Sequence, residues 1–270
     1  MKPKKTVLVL CRCASSENAL ADKRQQILEA LLAAKAKVHV VDDLCELSAR
    51  KDARLAAWMA GDEVKIVACY PRTVKALLKS AGCALNGEAI AVLNPRADSA
   101  ESIVQQILAE GLGEPASVDF ETPKGSGWIP WFPVIDTERC VNCKQCLSFC
   151  LFGVYGLDED GRVAVLNPQG CKTNCPACAR ICPEVAIIFP KYSDASASAS
   201  PISGAPIQDE TTERARVKVD VKQILGSDVY GALAERRKRA RPHLIKQSGI
   251  TLGQQASNPP VPPSKGALGA

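Results

Sequence analysis

The chain has 270 residues, 46% of them apolar, a formal net charge of +5 and 13 cysteines. Its length suits two modest domains with cores of their own, and no apolar run approaches the length of a membrane span. A secreted disulfide framework is short and usually even in cysteine count, so the cysteines of this longer chain describe something else. Reduced thiols point to a cytoplasmic protein. Lys2, Lys4 and Lys5 ahead of residues 6–11 imitate a lipoprotein signal, but that run is shorter than the about 7–15 apolar residues of a secretory core. A buried first strand is expected there instead.

In chain order, residues 6–11 are a β-branched and leucine run suited to a strand buried on both faces. Residues 17–36 carry Leu20, Ile27, Leu28, Leu31 and Leu32 on one side, a helical periodicity. Strands are expected at 37–41, 64–68 and 89–93, and helices at 48–59, 74–81 and 99–110. Alternating β and α elements with short connections imply a parallel sheet covered by helices. Residues 1–113 therefore read as a small doubly wound, Rossmann-like α/β domain. Cys11 and Cys13 lie at the carboxyl end of its first strand, Cys45 in the loop after the second, and Cys69 at the end of the third. Ligand crevices in open α/β sheets lie outside those ends, so the four thiols are expected to converge. Cys83 follows the third helix and belongs at the opposite edge. A metal cluster, four small buried hydrophobes and a redox disulfide all stay open as readings of the four.

A connector over 114–129 leads to Trp128 and Trp131, expected to pack between domains. Two runs of cysteine follow: Cys140, Cys143, Cys146 and Cys150, then Cys171, Cys175, Cys178 and Cys182, with Pro183 after the last. Three thiolates on one tight loop can hold three corners of an iron–sulfur cubane, and they are the soft ligands iron and sulfide prefer. The fourth corner must come from elsewhere. Zinc is the competing reading, but zinc sites pair two-ligand knuckles across a long gap, whereas each run here carries four thiols. The runs form an internal repeat. Val134-Ile135-Asp136 precedes the first as Val165-Leu166-Asn167 precedes the second, and Gly153-Val154-Tyr155 follows the first as Val185-Ala186-Ile187 follows the second. Asp160-Gly161 between them is a hairpin turn signal.

Residues 130–192 resemble the bacterial-type two-cluster ferredoxin domain, a small α+β fold. The resemblance implies two [4Fe–4S] clusters with exchanged ligands. Cys140, Cys143 and Cys146 would share one with Cys182; Cys171, Cys175 and Cys178 would share the other with Cys150. Leu151 stands where that family has proline after the fourth cysteine, and three residues rather than two separate Cys171 from Cys175. A second resemblance rests on Val9-Leu10-Cys11-Arg12-Cys13 and on Val67-Ala68-Cys69-Tyr70-Pro71-Arg72-Thr73. These are similar to the N-terminal region of the heterodisulfide-reductase-like polyferredoxins, over roughly residues 5–80. On that basis Cys11, Cys13, Cys45 and Cys69 are candidates for a third iron–sulfur cluster. The family's flavin fingerprint, Gly-x-Gly-x-x-Gly after a strand, is absent.

Residues 193–216 are rich in serine and alanine and read as a flexible linker. Val217 to Val221 reads as an edge strand or extended docking segment. A helix over 227–241 ends in the basic run 236–241, within a docking segment spanning 217–248, and 249–270 form a partly disordered tail. The basic run suits the negative end of a helix dipole in solvent as well as an acidic partner. Of the two histidines, His39 falls in a strand and His243 in the basic tail. The chain thus reads as an iron–sulfur electron-transfer protein serving an oxidoreductase partner protein, alone or as a subunit of a larger complex, with no nucleic acid. The alternatives are a catalytic subunit of a heterodisulfide-reductase-like enzyme using the N-terminal cysteines, and a scaffold or sensor.

Overall fold

A computed structural model of the chain describes residues 6–13, 20–87, 89–109, 119–120, 128–192 and 200–225, with positions 228, 231 and 235. The basic run, His243 and the tail lie outside the described residues, as does nearly all of the helix expected over 227–241.

The first unit alternates as expected: β1 (Thr6–Cys11), α1 (Ala21–Ala33), β2 (His39–Val41), α2 (Leu44–Ala49), α3 (Ala53–Met59), β3 (Glu63–Val67), α4 (Pro71–Ser80), β4 (Ile90–Leu93) and α5 (Ala100–Leu108). The single helix expected over 48–59 is two. Lys51 adopts φ 50, and Asp52 then caps α3 by accepting from the Arg54 amide at 3.0 Å. The left-handed residue breaks the helix and the aspartate restarts it. The segment assigned to a connector contributes β5 (Asp119–Phe120), which pairs parallel with β2 and satisfies the open edge of that strand. The sheet order is β4-β3-β1-β2-β5, parallel throughout.

Alternation along β1 sends its side chains to two layers. Leu8 and Leu10 pack with Ile27, Leu31, Ile103 and Ile107 of α1 and α5. Val7, Val9 and Cys11 face the other layer, with Leu47, Leu55 and Leu77 of α2, α3 and α4. That second layer continues without a break into Phe132, Val134 and Ile188 of the cysteine-rich region. The two units therefore share an apolar core. Arg72, in the first turn of α4, ties them further: its Nε lies 2.6 Å from the Asp136 carboxylate, and it donates to the carbonyls of Pro201 and Val185.

The cysteine-rich unit contains β6 (Val134–Ile135), α6 (Gln145–Phe149), β7 (Tyr155–Leu157), β8 (Val163–Val165), α7 (Ala177–Arg180) and β9 (Ile187–Ile188). Two antiparallel ladders join β6 to β9 and β7 to β8. The second is a hairpin whose turn ends at Gly161, with φ 71, as the Asp160-Gly161 signal indicates. The tryptophans divide between cores. Trp131 packs on Phe189 within the cysteine-rich core, centroids 5.3 Å apart. Trp128 stacks on Phe132 at 5.9 Å, against the core shared with the sheet.

The expected linker over 193–216 is corrected over its described part. Residues 200–205 are buried, held by Phe189 N–H donating to the Ile202 carbonyl at 2.7 Å and by the Thr73 hydroxyl donating to the Ser203 carbonyl at 2.8 Å. Gly204 makes this contact feasible. It has φ +92, and a Cβ there would sit 1.8 Å from Thr73 Oγ1. The strand expected at Val217–Val221 lies inside helix α8 (Glu210–Leu225). Asp209 starts that helix by accepting from the amides of Thr211 and Thr212. Glu210 pairs with Arg139 at 2.7 Å and Arg214 with Glu184 at 2.7 Å, fixing α8 to the cysteine-rich unit. Among the described residues no helix is long and apolar enough to cross a membrane.

Candidate metal centre

The two ladders decide which cysteines meet. β6 precedes the first run and β9 follows the second, so pairing Val134 with Ile188 carries Cys182 back to the loop of residues 140–146. β7 follows the first run and β8 precedes the second, so pairing Tyr155 with Val165 brings Cys150 to the loop of residues 171–178. The result is two cavities. One is lined by Cys140, Cys143, Cys146 and Cys182, together with Ile135, Val163 and Ile187. The other is lined by Cys150, Cys171, Cys175 and Cys178, together with Phe149, Val154 and Tyr155.

The loops themselves are built alike. Asn142 and Asn174 each stand immediately before the second cysteine of their run, with φ 57 and φ 60. Asparagine tolerates the left-handed region well, and this shared turn absorbs the extra residue between Cys171 and Cys175 on its N-terminal side. Asn142 also accepts from the Val163 amide at 3.0 Å and donates to the Gly161 carbonyl at 3.2 Å, fastening the first loop to the hairpin. Gly153 and Val185, each three residues past the last cysteine of a run, both have positive φ. The duplicated sequence is therefore a duplicated backbone path.

Burial pushes the thiols of Cys146 and Cys171 up to about 12, with Cys182 the next influence on the first and Cys150 on the second. Burial likewise raises Cys178 and Cys182. Thiolates so enclosed need a compensating cation, and metal binding there must release protons. Donors to sulfur are already in place: the Tyr155 hydroxyl lies 3.1 Å from Cys178 Sγ and the Ala186 amide 3.3 Å from Cys182 Sγ. No cysteine is in a disulfide. Among the described residues no three His, Cys, Asp or Glu side chains close tightly enough to hold a single ion. Each set of four thiols lines a cavity rather than meeting at a point. Four soft donors around an apolar hollow fit a cubane.

In the sheet unit the chain runs from β1 to β2 on one side and then crosses to β3 on the other, so the order reverses between β1 and β3. This is where open α/β sheets bind ligands. Cys11 ends β1, Cys13 lies just beyond it with φ 54, and Cys69 lies two residues past β3. Cys45 is in the first turn of α2 rather than in a loop, because Asp43 caps that helix through the amides of Cys45 and Glu46 at 3.0 and 3.4 Å. The four thiols influence one another. Cys11 is raised by a hydrogen bond with Cys13, then by burial, with Cys45 also contributing. Burial pushes Cys69 up to about 12, with Cys13 the next cause, and it raises Cys45, on which Asp43, Cys69 and Cys13 also act. The Leu44 amide donates to Cys11 Sγ at 3.4 Å. Cys83 is buried in the same core, but burial alone raises it.

Sequence reasoning missed two residues of this group. Lys191 Nζ lies 2.6 Å from the Asp43 carboxylate and 3.6 Å from Cys13 Sγ. Nothing in the local sequence of either residue announces a partner 148 positions away. Asp43 precedes α2, a helix turn that begins four residues before the helix expected at 48–59.

About a quarter of the chain has relatives of known kind. It is 52% identical over 63 residues to an uncharacterized ferredoxin of Methanocaldococcus jannaschii, a match covering 23% of this chain and 42% of that protein. Ferredoxin-3 of a Nostoc species is 32% identical over 78 residues, covering 22% of this chain and 79% of its own length. The pyruvate synthase subunit PorD of Methanocaldococcus jannaschii is 36% identical over 64 residues, covering 24% and 72%. No family model and no solved structure matches the chain.

Proposed function

Because this chain belongs, over about a quarter of its length, to the ferredoxin family, we propose that it is an electron-transfer protein carrying two [4Fe–4S] clusters in its cysteine-rich unit and a third in its sheet unit. The first is held by Cys140, Cys143, Cys146 and Cys182, the second by Cys150, Cys171, Cys175 and Cys178. The third is held by Cys11, Cys13, Cys45 and Cys69. The observation that carries this reading is the pair of cavities, each lined by three thiols of one run and one of the other.

Bound clusters supply reversible one-electron chemistry at potentials tuned by hydrogen bonds, charge and exposure. The residues of the chain do the rest. The buried aliphatic walls exclude water. Tyr155 and the Ala186 amide donate to ligand sulfurs and favour the more negative, reduced state. Exposure is uneven: Cys143 is exposed while Cys178 is buried, so the first cluster is the natural port to a partner. That partner is an oxidoreductase, to which this chain stands as a subunit, in a reducing cytoplasmic compartment.

Anaerobic reductive titration tests the reading. The visible charge-transfer absorption is expected to bleach and recover reversibly, with about one electron per cluster. Clusters that refuse reversible reduction would leave a scaffold. The location of the four thiols of the sheet unit at the chain reversal between β1 and β3 favours a second reading, a heterodisulfide-reductase-like catalytic subunit. It requires turnover of a thiol or disulfide substrate that Cys11→Ser abolishes.

A further inference from the structure

Lys191 comes from the cysteine-rich unit, three residues past β9, yet its ammonium ends among the thiols of the sheet unit. Its side chain is only 4% exposed and that of Asp43, its carboxylate partner, 3%. The backbone that carries it is fixed. Phe189 is fully buried and bonded to the Ile202 carbonyl, and the Tyr192 amide closes a turn onto the Phe189 carbonyl at 2.9 Å. Burying an ammonium and a carboxylate costs as much desolvation as their attraction returns, and apolar side chains of equal volume often stabilise as well. The pair is therefore poorly explained as a fastening between units. Its position explains it better. The ammonium lies 3.6 Å from Cys13 Sγ, the carboxylate oxygen Oδ1 of Asp43 caps the helix that carries Cys45, and the charge of Lys191 acts on Cys45 and Cys13 alike.

We propose that Lys191 and Asp43 form a charge couple, assembled across the two units, that sets the reduction potential of the iron–sulfur centre held by Cys11, Cys13, Cys45 and Cys69. The inference rests on the third cluster of the proposed function. Four thiolates leave such a centre net negative, and one electron entering from a reductant makes it more so, with no bond made or broken. The ammonium favours the reduced state and the carboxylate opposes it. Outer-shell charges and hydrogen bonds of this kind are established tuners of metal sites. Because the ammonium arrives from the other unit, the tuned centre exists only when the units are docked.

The test is an EPR-monitored redox titration of the full-length, cluster-loaded protein and its variants. Lys191→Gln is expected to lower the potential of one cluster by at least a tenfold change in its reduced-to-oxidised ratio, about 59 mV for a one-electron couple. Asp43→Asn is expected to raise it, since asparagine caps a helix as well as aspartate does. The double variant returns toward the wild-type value. The potentials of the other two clusters stay unchanged throughout. Shifts of the same sign in both single variants, or no shift in either, would overturn the charge couple while leaving the third cluster standing. A wild-type protein with iron for only two clusters would overturn the third cluster itself, and this inference with it.

Discussion

Cys150→Ser is expected to remove the cluster bounded by Cys171, Cys175 and Cys178, and to leave the one bounded by Cys140, Cys143 and Cys146 in place. Cys150 sits in the first run, but the β7–β8 hairpin pairs Tyr155 with Val165 and so turns it toward the second loop. Cys182→Ser is expected to do the converse through the β6–β9 ladder. A serine hydroxyl is a harder ligand and gives up its proton far less readily, so the affected cavity keeps three good donors of four. Iron content falls by about four atoms where the cluster is lost outright. Pairs of substitutions identify which cluster went, because changes acting on one site do not add. Cys150→Ser with Cys175→Ser should lose no more iron than Cys150→Ser alone. Cys150→Ser with Cys143→Ser should lose about eight atoms, two cubanes' worth. The opposite pattern would mean that each run closes its own cluster, against the strand pairing.

Cys69→Ser is expected to remove about four iron atoms, one cubane's worth, and to leave the EPR signals of the cysteine-rich unit intact. The thiol lies two residues past β3, at the chain reversal of the sheet, and shares its electrostatic surroundings with Cys13 and Cys45. Cys83→Ser is the control. It changes a buried thiol in the same apolar layer, so it perturbs packing to a similar degree, and iron content should hold. If Cys69→Ser and Cys83→Ser behave alike, the sheet-unit cysteines are small core residues.

Much of this architecture was legible in the sequence because local pattern and tertiary role agree. The run from Thr6 to Cys11 is apolar on both faces because helices cover both, and the Asp160-Gly161 turn signal marked the β7–β8 hairpin. The ferredoxin resemblance implies an exchange of ligands between the runs, and each cavity is lined by three cysteines of one run and one of the other. Where the reading failed, a distant partner overrode local composition. Residues 200–205, with their serines, proline and glycine after a serine–alanine run, pass for linker, yet they are buried because Thr73 and Phe189 supply partners for their carbonyls. Val217 and Val219 alternate with charged residues as a strand would, but the cap at Asp209 and the pairs of Glu210 and Arg214 start a helix that runs through them. For Lys191 no local signal exists, since a lysine after β9 looks like any surface cation until the fold buries it.

The most direct test of the account is iron and acid-labile sulfide content on anaerobically purified protein, with EPR after dithionite reduction. Three cubanes predict about twelve iron and about twelve sulfide per chain, and a spectrum with interacting clusters. About eight of each would confine the clusters to the cysteine-rich unit and empty the site at Cys11, Cys13, Cys45 and Cys69. Zinc without sulfide would contradict the electron-transfer function altogether.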